Sequence, residues 1–77
     1  MLLTELKKGN EAKIIDISGV NPTIQKRLLD LGVDEGVTVC LKRLLPFQGP
    51  CMIEVCGQYI SLRRSEASCI HICLEEV

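Results

Sequence analysis

The sequence contains a series of short segments in which apolar and polar residues alternate, and this pattern constrains the fold more than any other feature. Successive side chains of a β-strand point to opposite faces, so each segment predicts a strand with one buried face. Turn-forming glycine or proline separates most of them. The predicted strands cover residues 11–19, 37–45, 51–56, 59–63 and 69–77. Strands this short and this closely spaced predict a mainly β fold, a small antiparallel barrel that leaves few strand edges exposed.

One helix is predicted directly after the first strand. Its apolar stripe at helical spacing consists of Ile24, Leu28 and Leu31. Asn21 suits the N-cap and Pro22 the first helical position, where the missing N–H costs nothing. Gly32 is placed to end the helix in a left-handed conformation, and Gly36 allows the tight turn that follows. Short helical turns are also predicted near residues 4–8 and 64–68.

The alternation also predicts which side chains are buried. In the first strand, Ile15 and Ile17 should share one face, opposite Ile14. In the last strand, the core-facing residues should be Ile70, Ile72 and Leu74. Gly57 and Gln58 are expected to form a two-residue hairpin turn of type II′, which favours glycine at its first position.

Length and charge limit the class of protein. The 77 residues predict a single domain over residues 1–77. The net charge is −1, and one Phe, one Tyr and no Trp offer few stacking surfaces, so binding of nucleic acid is not expected. No apolar run could span a bilayer, and the N-terminus lacks the pattern of a signal peptide. We therefore expect a cytoplasmic protein without direct membrane insertion.

The sequence has five cysteines, an odd number that does not favour a disulfide framework in a reducing compartment. On an extended strand Cys69, His71 and Cys73 would share one face, and thiols and imidazole are good ligands for Zn²⁺ or Fe²⁺. Alternate side chains stand roughly 6–7 Å apart, so all three could bind one tetrahedral ion only if the strand bulged or ended there, whereas two of them could bind an ion with help from another strand or another chain. One alternative is that Cys69, His71 and Cys73 form a solvated outer face. The other is that they bind metal with a further ligand, which would come from Cys40 or Cys56, both expected to face outward, or from another chain.

Motifs for catalysis are missing from the sequence. It has one histidine, no nucleophile elbow and no glycine-rich phosphate loop. A chain of this size also has little room for a deep, dry pocket. We therefore do not expect an enzyme.

Cys51, which shares a face with Ile53 and Val55, is expected in the core as a small apolar residue.

Basic residues near the predicted strand ends form a second candidate site. Lys42, Arg43, Arg63 and Arg64 could lie together as one modest patch. Such a patch is either a solvated, charge-balanced surface or a docking surface for an acidic partner protein.

An ordered series of residues runs through nearly the whole chain. It consists of Leu3, Leu6 and Gly9, then Arg27, Leu31, Gly32, Gly36 and Val39, then Pro46, Gly49 and Pro50, and finally Gly57, Ile60, Leu62, Arg63, Glu66 and Ala67. This series resembles the FeoA family, small cytosolic proteins of bacterial ferrous iron uptake. The five cysteines and the Cys69-His71-Cys73 run are not part of that pattern.

The resemblance implies an SH3-like barrel that is not an enzyme, requires no cofactor and docks on the cytosolic G-protein domain of the iron permease FeoB. The expected contact region combines the helix-to-strand hinge within residues 27–39, the 45–50 loop and the basic strand ends. Its candidate residues are Arg27, Leu31, Lys42, Arg43, Phe47, Arg63 and Arg64. The alternative function is zinc or ferrous iron binding by Cys69, His71 and Cys73, with Cys56. The chain is expected to be a monomer or a weak homo-oligomer, in which metal could bridge the subunits.

Overall fold

The computed structural model describes residues 1–74. In chain order the elements are a 3₁₀ turn (Leu3–Glu5), β1 (Glu11–Asp16), α1 (Pro22–Asp30), β2 (Thr38–Leu44), β3 (Cys51–Val55), β4 (Gln58–Leu62), α2 (Arg64–Ala67) and β5 (His71–Leu74). The strands form one antiparallel sheet in the order β4-β3-β2-β1-β5. The mainly β fold with one helix inserted after the first strand is confirmed.

The core lies on the inner face of this sheet and is built from aliphatic side chains. Its largest fully buried members are Leu3, Ile14, Leu28, Leu41, Ile53, Leu62, Ile70 and Ile72, together with Val33, Val39, Val55 and Cys51. Full burial of one such aliphatic side chain contributes about 1.5–3 kcal/mol. The chain therefore gains its stability from many small contributions, with no large aromatic residue in the core.

Helix α1 begins and ends as the sequence predicts. The Asn21 side chain accepts a hydrogen bond of 2.9 Å from a backbone N–H of the first turn. Gly32 has φ +88°, and its N–H donates to the carbonyl of Leu29 at 3.0 Å. The N–H of Val33 donates to the carbonyl of Leu28 at 2.8 Å. This pair of bonds is a Schellman motif, which satisfies the last carbonyls of the helix.

A second turn attaches the helix end to the sheet. Gly36 also has positive φ, and its N–H donates to the carbonyl of Ile14 at 2.7 Å. The N–H of Ile14 in turn donates to the carbonyl of Val37 at 2.9 Å. Because both bonds reach β1, the chain leaves the helix and enters β2 already in register with its neighbour.

Strand β1 contains a bulge that corrects the predicted burial. Ile14 and Asp16 pair with consecutive residues of β5, so Ile15 is the additional residue and is 51% exposed. The expectation that Ile15 and Ile17 share one face is wrong, because a bulge shifts the alternation by one residue and Ile17 is buried. The strand ends at Asp16, three residues before the predicted end.

The β3–β4 hairpin turn also differs from the prediction. Its two turn residues are Cys56 and Gly57, with φ of 52° and 82°, and Val55 pairs with Gln58. Positive φ at both positions defines a type I′ turn, whose twist matches that of the flanking strands. The predicted type II′ turn at Gly57–Gln58 is therefore wrong, and Cys56 lies exposed at the tip of the hairpin.

Strand β5 begins at His71, later than predicted. The N–H groups of Cys69 and Ile70 still donate to carbonyls of α2, at 3.1 and 3.2 Å, so these residues continue the helical turn. Ile70 is buried as expected, whereas Leu74 is 45% exposed on an edge strand and the expectation of burial is wrong. Residues 75–77 of the predicted strand lie outside the described residues.

Neighbouring leucines of α1 offer a matched test of the core. We expect Leu28→Ala to lower the free energy of unfolding by about 2–5 kcal/mol, because Leu28 is fully buried and its removal leaves a cavity. Leu29→Ala removes the same atoms from a side chain that is 46% exposed. This variant should change the free energy of unfolding by less than about 0.5 kcal/mol. Urea denaturation of both variants measures the difference, and equal effects would contradict this packing.

Candidate partner-binding surface

The side chain of Arg64, at the start of α2, holds the 45–50 loop in place. Its Nη2 donates to the carbonyl oxygen of Leu45 at 2.6 Å, and its Nε donates to that of Gly49 at 3.3 Å. Within the loop, the Leu45 N–H donates to the Pro50 carbonyl at 3.3 Å. The 45–50 loop is thus fastened near both of its ends to α2.

The apex of the 45–50 loop presents Phe47, the single phenylalanine of the chain. Phe47 is fully exposed, and both Phe47 and Gln48 have left-handed backbone conformations, with φ of 59° and 58°. Such a conformation costs of order 1–3 kcal/mol at a non-glycine residue and persists only where surrounding contacts impose it. The Arg64 hydrogen bonds are such contacts. The result is a large apolar side chain held out into water at the apex of the loop.

Glu66 connects the two helices. It is only 9% exposed, and its Oε1 accepts hydrogen bonds from the N–H of Arg63 at 3.1 Å and from Nη2 of Arg27 at 3.3 Å. The carboxylate therefore stabilises the start of α2 and pairs with α1. Arg27, a predicted contact residue, is half-exposed but already has this internal partner.

Other predicted contact residues also have structural roles. Nζ of Lys42 lies 3.2 Å from Oε1 of Glu54, and the hydrogen bond to this carboxylate raises the pKa of Lys42 above its ordinary value. Leu31 is partly buried and packs against the core. Arg43 is exposed on β2. Among residues 1–74, the side chains of Arg43 and Arg63 make no hydrogen bond or ion pair, so these cations and Phe47 are the candidates that remain available to a partner.

The structure does not bring the predicted metal ligands together on one strand. The Cys69 thiol lies in the turn before β5, 3.5 Å from the Ser65 carbonyl oxygen. His71 and Cys73 are exposed on β5, and Cys56 is at the hairpin tip. In the part of the chain that the structure describes, no three His, Cys, Asp or Glu side chains are arranged to hold a metal ion. The described residues of one chain therefore form no complete metal site.

The remaining cysteines are less accessible. Cys40 faces outward as expected, since it lies outside the core cluster and lines a surface cavity together with Cys56, but its neighbours leave it only 9% exposed. It lies in the central strand, where Glu11 of β1 and Glu54 of β3 stand opposite it on either side. Cys51 is fully buried in the core as expected, and this burial raises the pKa of its thiol.

Two functional features were not found from the sequence, namely the Arg64 clamp on the 45–50 loop and the buried Glu66 carboxylate. Both depend on residues far apart in the chain, as in the pair Arg27 and Glu66. Hydrophobic periodicity carries no signal for such contacts. The one local clue is the acidic residue in the first turn of α2, a position where a carboxylate can accept a backbone hydrogen bond.

Comparison with known proteins defines the class. The FeoA domain model matches residues 1–73. The FeoA protein of Chlorobium tepidum superimposes with a TM-score of 0.90 at 31% identity, over 96% of this chain and 70% of that one. The FeoA of Stenotrophomonas maltophilia, crystallised with zinc and described as an SH3 domain protein, has a TM-score of 0.79 at 27% identity, over 94% and 88%.

A curated relative links this domain to a transporter. The Fe(2+) transport protein A/Fe(2+) transporter FeoB fusion protein of Porphyromonas gingivalis is 31% identical over 72 residues. These residues are 94% of this chain but only 8% of the fusion protein. Among residues 1–74, no helix is both long and apolar enough to cross a membrane.

Fold and surface together define a small SH3-like β protein with an exposed apolar loop and no complete metal site in its described residues. The chain belongs to the FeoA family, which is linked to ferrous iron transport. The predicted family and the SH3-like fold are thus confirmed.

The clamp on the 45–50 loop can be tested by hydrogen exchange. Arg64→Met keeps the aliphatic stem but removes the donors to Leu45 and Gly49, and hydrogen bonds from charged groups contribute about 1.5–3 kcal/mol. Because Arg64 is partly exposed, we expect exchange of the Gly49 amide to accelerate about tenfold. Arg63→Met is the matched control and should leave this amide unchanged; equal rates in both variants would contradict a clamp.

Proposed function

We propose that this chain is an accessory protein of ferrous iron import, without enzymatic activity of its own, that docks on the cytosolic G-protein domain of a FeoB-type permease. The observation that carries the proposal is the fused relative, in which one polypeptide contains both an FeoA and an FeoB part. Domains fused in one protein are held at high effective concentration, which favours even a weak contact between them. We place residues 1–77, as one domain, in the cytoplasm.

The proposed contact region is the docking surface formed by Arg43, Phe47 and Arg63. Exposed aromatic and arginine side chains are the types most enriched at energetically important interface positions. Arg64 supports this surface through the 45–50 loop, while Arg27, Leu31 and Lys42 are engaged in internal contacts. Of the predicted contact residues, some would therefore touch the partner, and the others would keep the contacting residues in position.

Titration calorimetry with the purified cytosolic G-protein domain of the permease from the same organism tests the proposal. We expect one-to-one binding with a dissociation constant in the micromolar range. The control is the permease lacking this domain, reconstituted in vesicles, which should not retain the chain. Absence of binding to the isolated domain at micromolar concentrations would refute the docking function.

A second candidate function is binding of Zn²⁺ or Fe²⁺ between two copies of the chain. The observation that favours it is the pair His71 and Cys73, both exposed and two residues apart on the edge strand β5. A second chain could supply the remaining ligands of a tetrahedral site. The zinc complex of the Stenotrophomonas protein is consistent with this chemistry. Cys69 and Cys56 would then lie outside the site.

Native mass spectrometry of reduced, oxygen-free protein distinguishes the candidates. Metal bridging predicts that a zinc-containing dimer appears with added Zn²⁺ and disappears with chelator. His71→Ala and Cys73→Ser should each abolish the dimer, whereas Cys56→Ser should retain it. A monomer without metal at all Zn²⁺ concentrations would exclude the metal function and leave the docking function intact.

A further inference from the structure

An open cavity of about 510 Å³ lies between the 45–50 loop and α2. It is lined by Gln48, Pro50, Arg63, Arg64, Ser65 and Ser68. Every side chain of this lining except proline carries a hydrogen-bond donor, and none is acidic. The cavity is thus suited to an anionic group.

Within residues 1–74, no carboxylate of the lining neutralises the positive charge at this cavity. Arg64 donates only to carbonyl oxygens, which accept hydrogen bonds but carry no net charge. The Arg63 guanidinium makes no hydrogen bond or ion pair within residues 1–74. Glu66 is the nearest acidic residue in the sequence, but it is buried outside the lining of this cavity and is paired with Arg27. Within the described residues, Arg63 and Arg64 therefore bring two positive charges to a cavity whose lining holds no carboxylate.

The apolar apex lies directly beside this cavity. Phe47 is fully exposed and precedes Gln48, which belongs to the lining. The left-handed backbone at both residues fixes the direction in which the ring leaves the loop. An aromatic side chain next to a basic cavity can contact a partner at two points. The arginines would set the orientation of the partner, and the ring would contribute buried apolar area.

We propose that this cavity binds a carboxylate of the partner protein, an Asp or Glu side chain, while Phe47 inserts into an apolar pocket beside that residue. The inference rests on the proposed docking function and specifies its chemistry. Arginine forms bidentate, charge-assisted hydrogen bonds with carboxylates, and the Ser65 hydroxyl lies in the same lining. The complementary feature on the partner is therefore an acidic residue at the rim of an apolar pocket.

Charge distribution favours a protein carboxylate over an anionic lipid surface. A lipid surface attracts clusters of several basic residues. This chain has a net charge of −1, and Lys42, the basic residue next to Arg43, is neutralised by Glu54. One pair of arginines beside one aromatic ring matches a single acidic residue of a protein better than it matches the surface of an anionic membrane.

Binding measurements with the purified G-protein domain test the two contact points separately. We expect Arg63→Gln and Phe47→Ala each to weaken binding at least about tenfold. The controls are Lys8→Gln, which removes the same charge elsewhere, and Tyr59→Ala, which removes an exposed aromatic ring from β4; each should change affinity less than about twofold. Raising the salt concentration should weaken wild-type binding more than that of Arg63→Gln.

The outcomes separate this inference from the proposed function. If the wild-type chain binds and Arg63→Gln and Phe47→Ala bind equally well, the inference is refuted and the docking function stands. If the wild-type chain does not bind, both are refuted. If the two variants lose binding only to phosphatidylglycerol vesicles and keep full affinity for the G-protein domain, the cavity serves a lipid phosphate and the inference is wrong.

Crosslinking identifies the group in the cavity directly. Carbodiimide joins an amine to a contacting carboxylate, so Arg63→Lys in complex with the G-protein domain should give a crosslinked peptide pair containing position 63 and one Asp or Glu of the partner. The wild-type chain, with arginine at this position, should not give that pair. A complex in which position 63 forms no crosslink would refute a carboxylate in the cavity.

Discussion

The burial of Leu28 and Val33 against the inner face of the sheet is the contact on which the rest of the structure depends. A domain of this size buries only about 60% of the surface that its unfolded chain exposes, so a sheet of short strands has little apolar surface to spare. Helix α1 supplies the missing cover. The Schellman motif places both residues in the core, since Val33 follows the left-handed Gly32 and bonds back to Leu28.

The framework built in this way explains how a small protein can present a rigid binding loop. Helix α2 is fixed by the buried Glu66 carboxylate, which accepts hydrogen bonds from the backbone of Arg63 and from Arg27 of α1. Because α2 is fixed, Arg64 can hold the 45–50 loop with Phe47 in a conformation that the loop alone would not keep. The proposed contact with the transporter would then require little ordering of the loop, which lowers the entropic cost of binding.

Local rules predicted the parts of this protein that depend on neighbouring residues. The cap at Asn21 and the end of the helix at Gly32 follow from hydrogen bonds and backbone angles within one turn. Prediction failed where a long-range pairing decides the outcome. The bulge at Ile15 arises from pairing with β5, and the exposure of Leu74 arises from the position of β5 at the edge of the sheet.

The candidate site shows the same division. The sequence by itself determined a mainly β fold with one inserted helix, its FeoA pattern and the set of basic and aromatic candidate residues, because these follow from periodicity and residue type. Only the tertiary structure decided which of them are available. Contacts across many residues assign Arg27 and Arg64 to internal hydrogen bonds and leave Arg63 and Phe47 exposed beside one cavity. A linear pattern cannot contain this distinction, because it depends on which distant groups the fold brings within hydrogen-bonding distance.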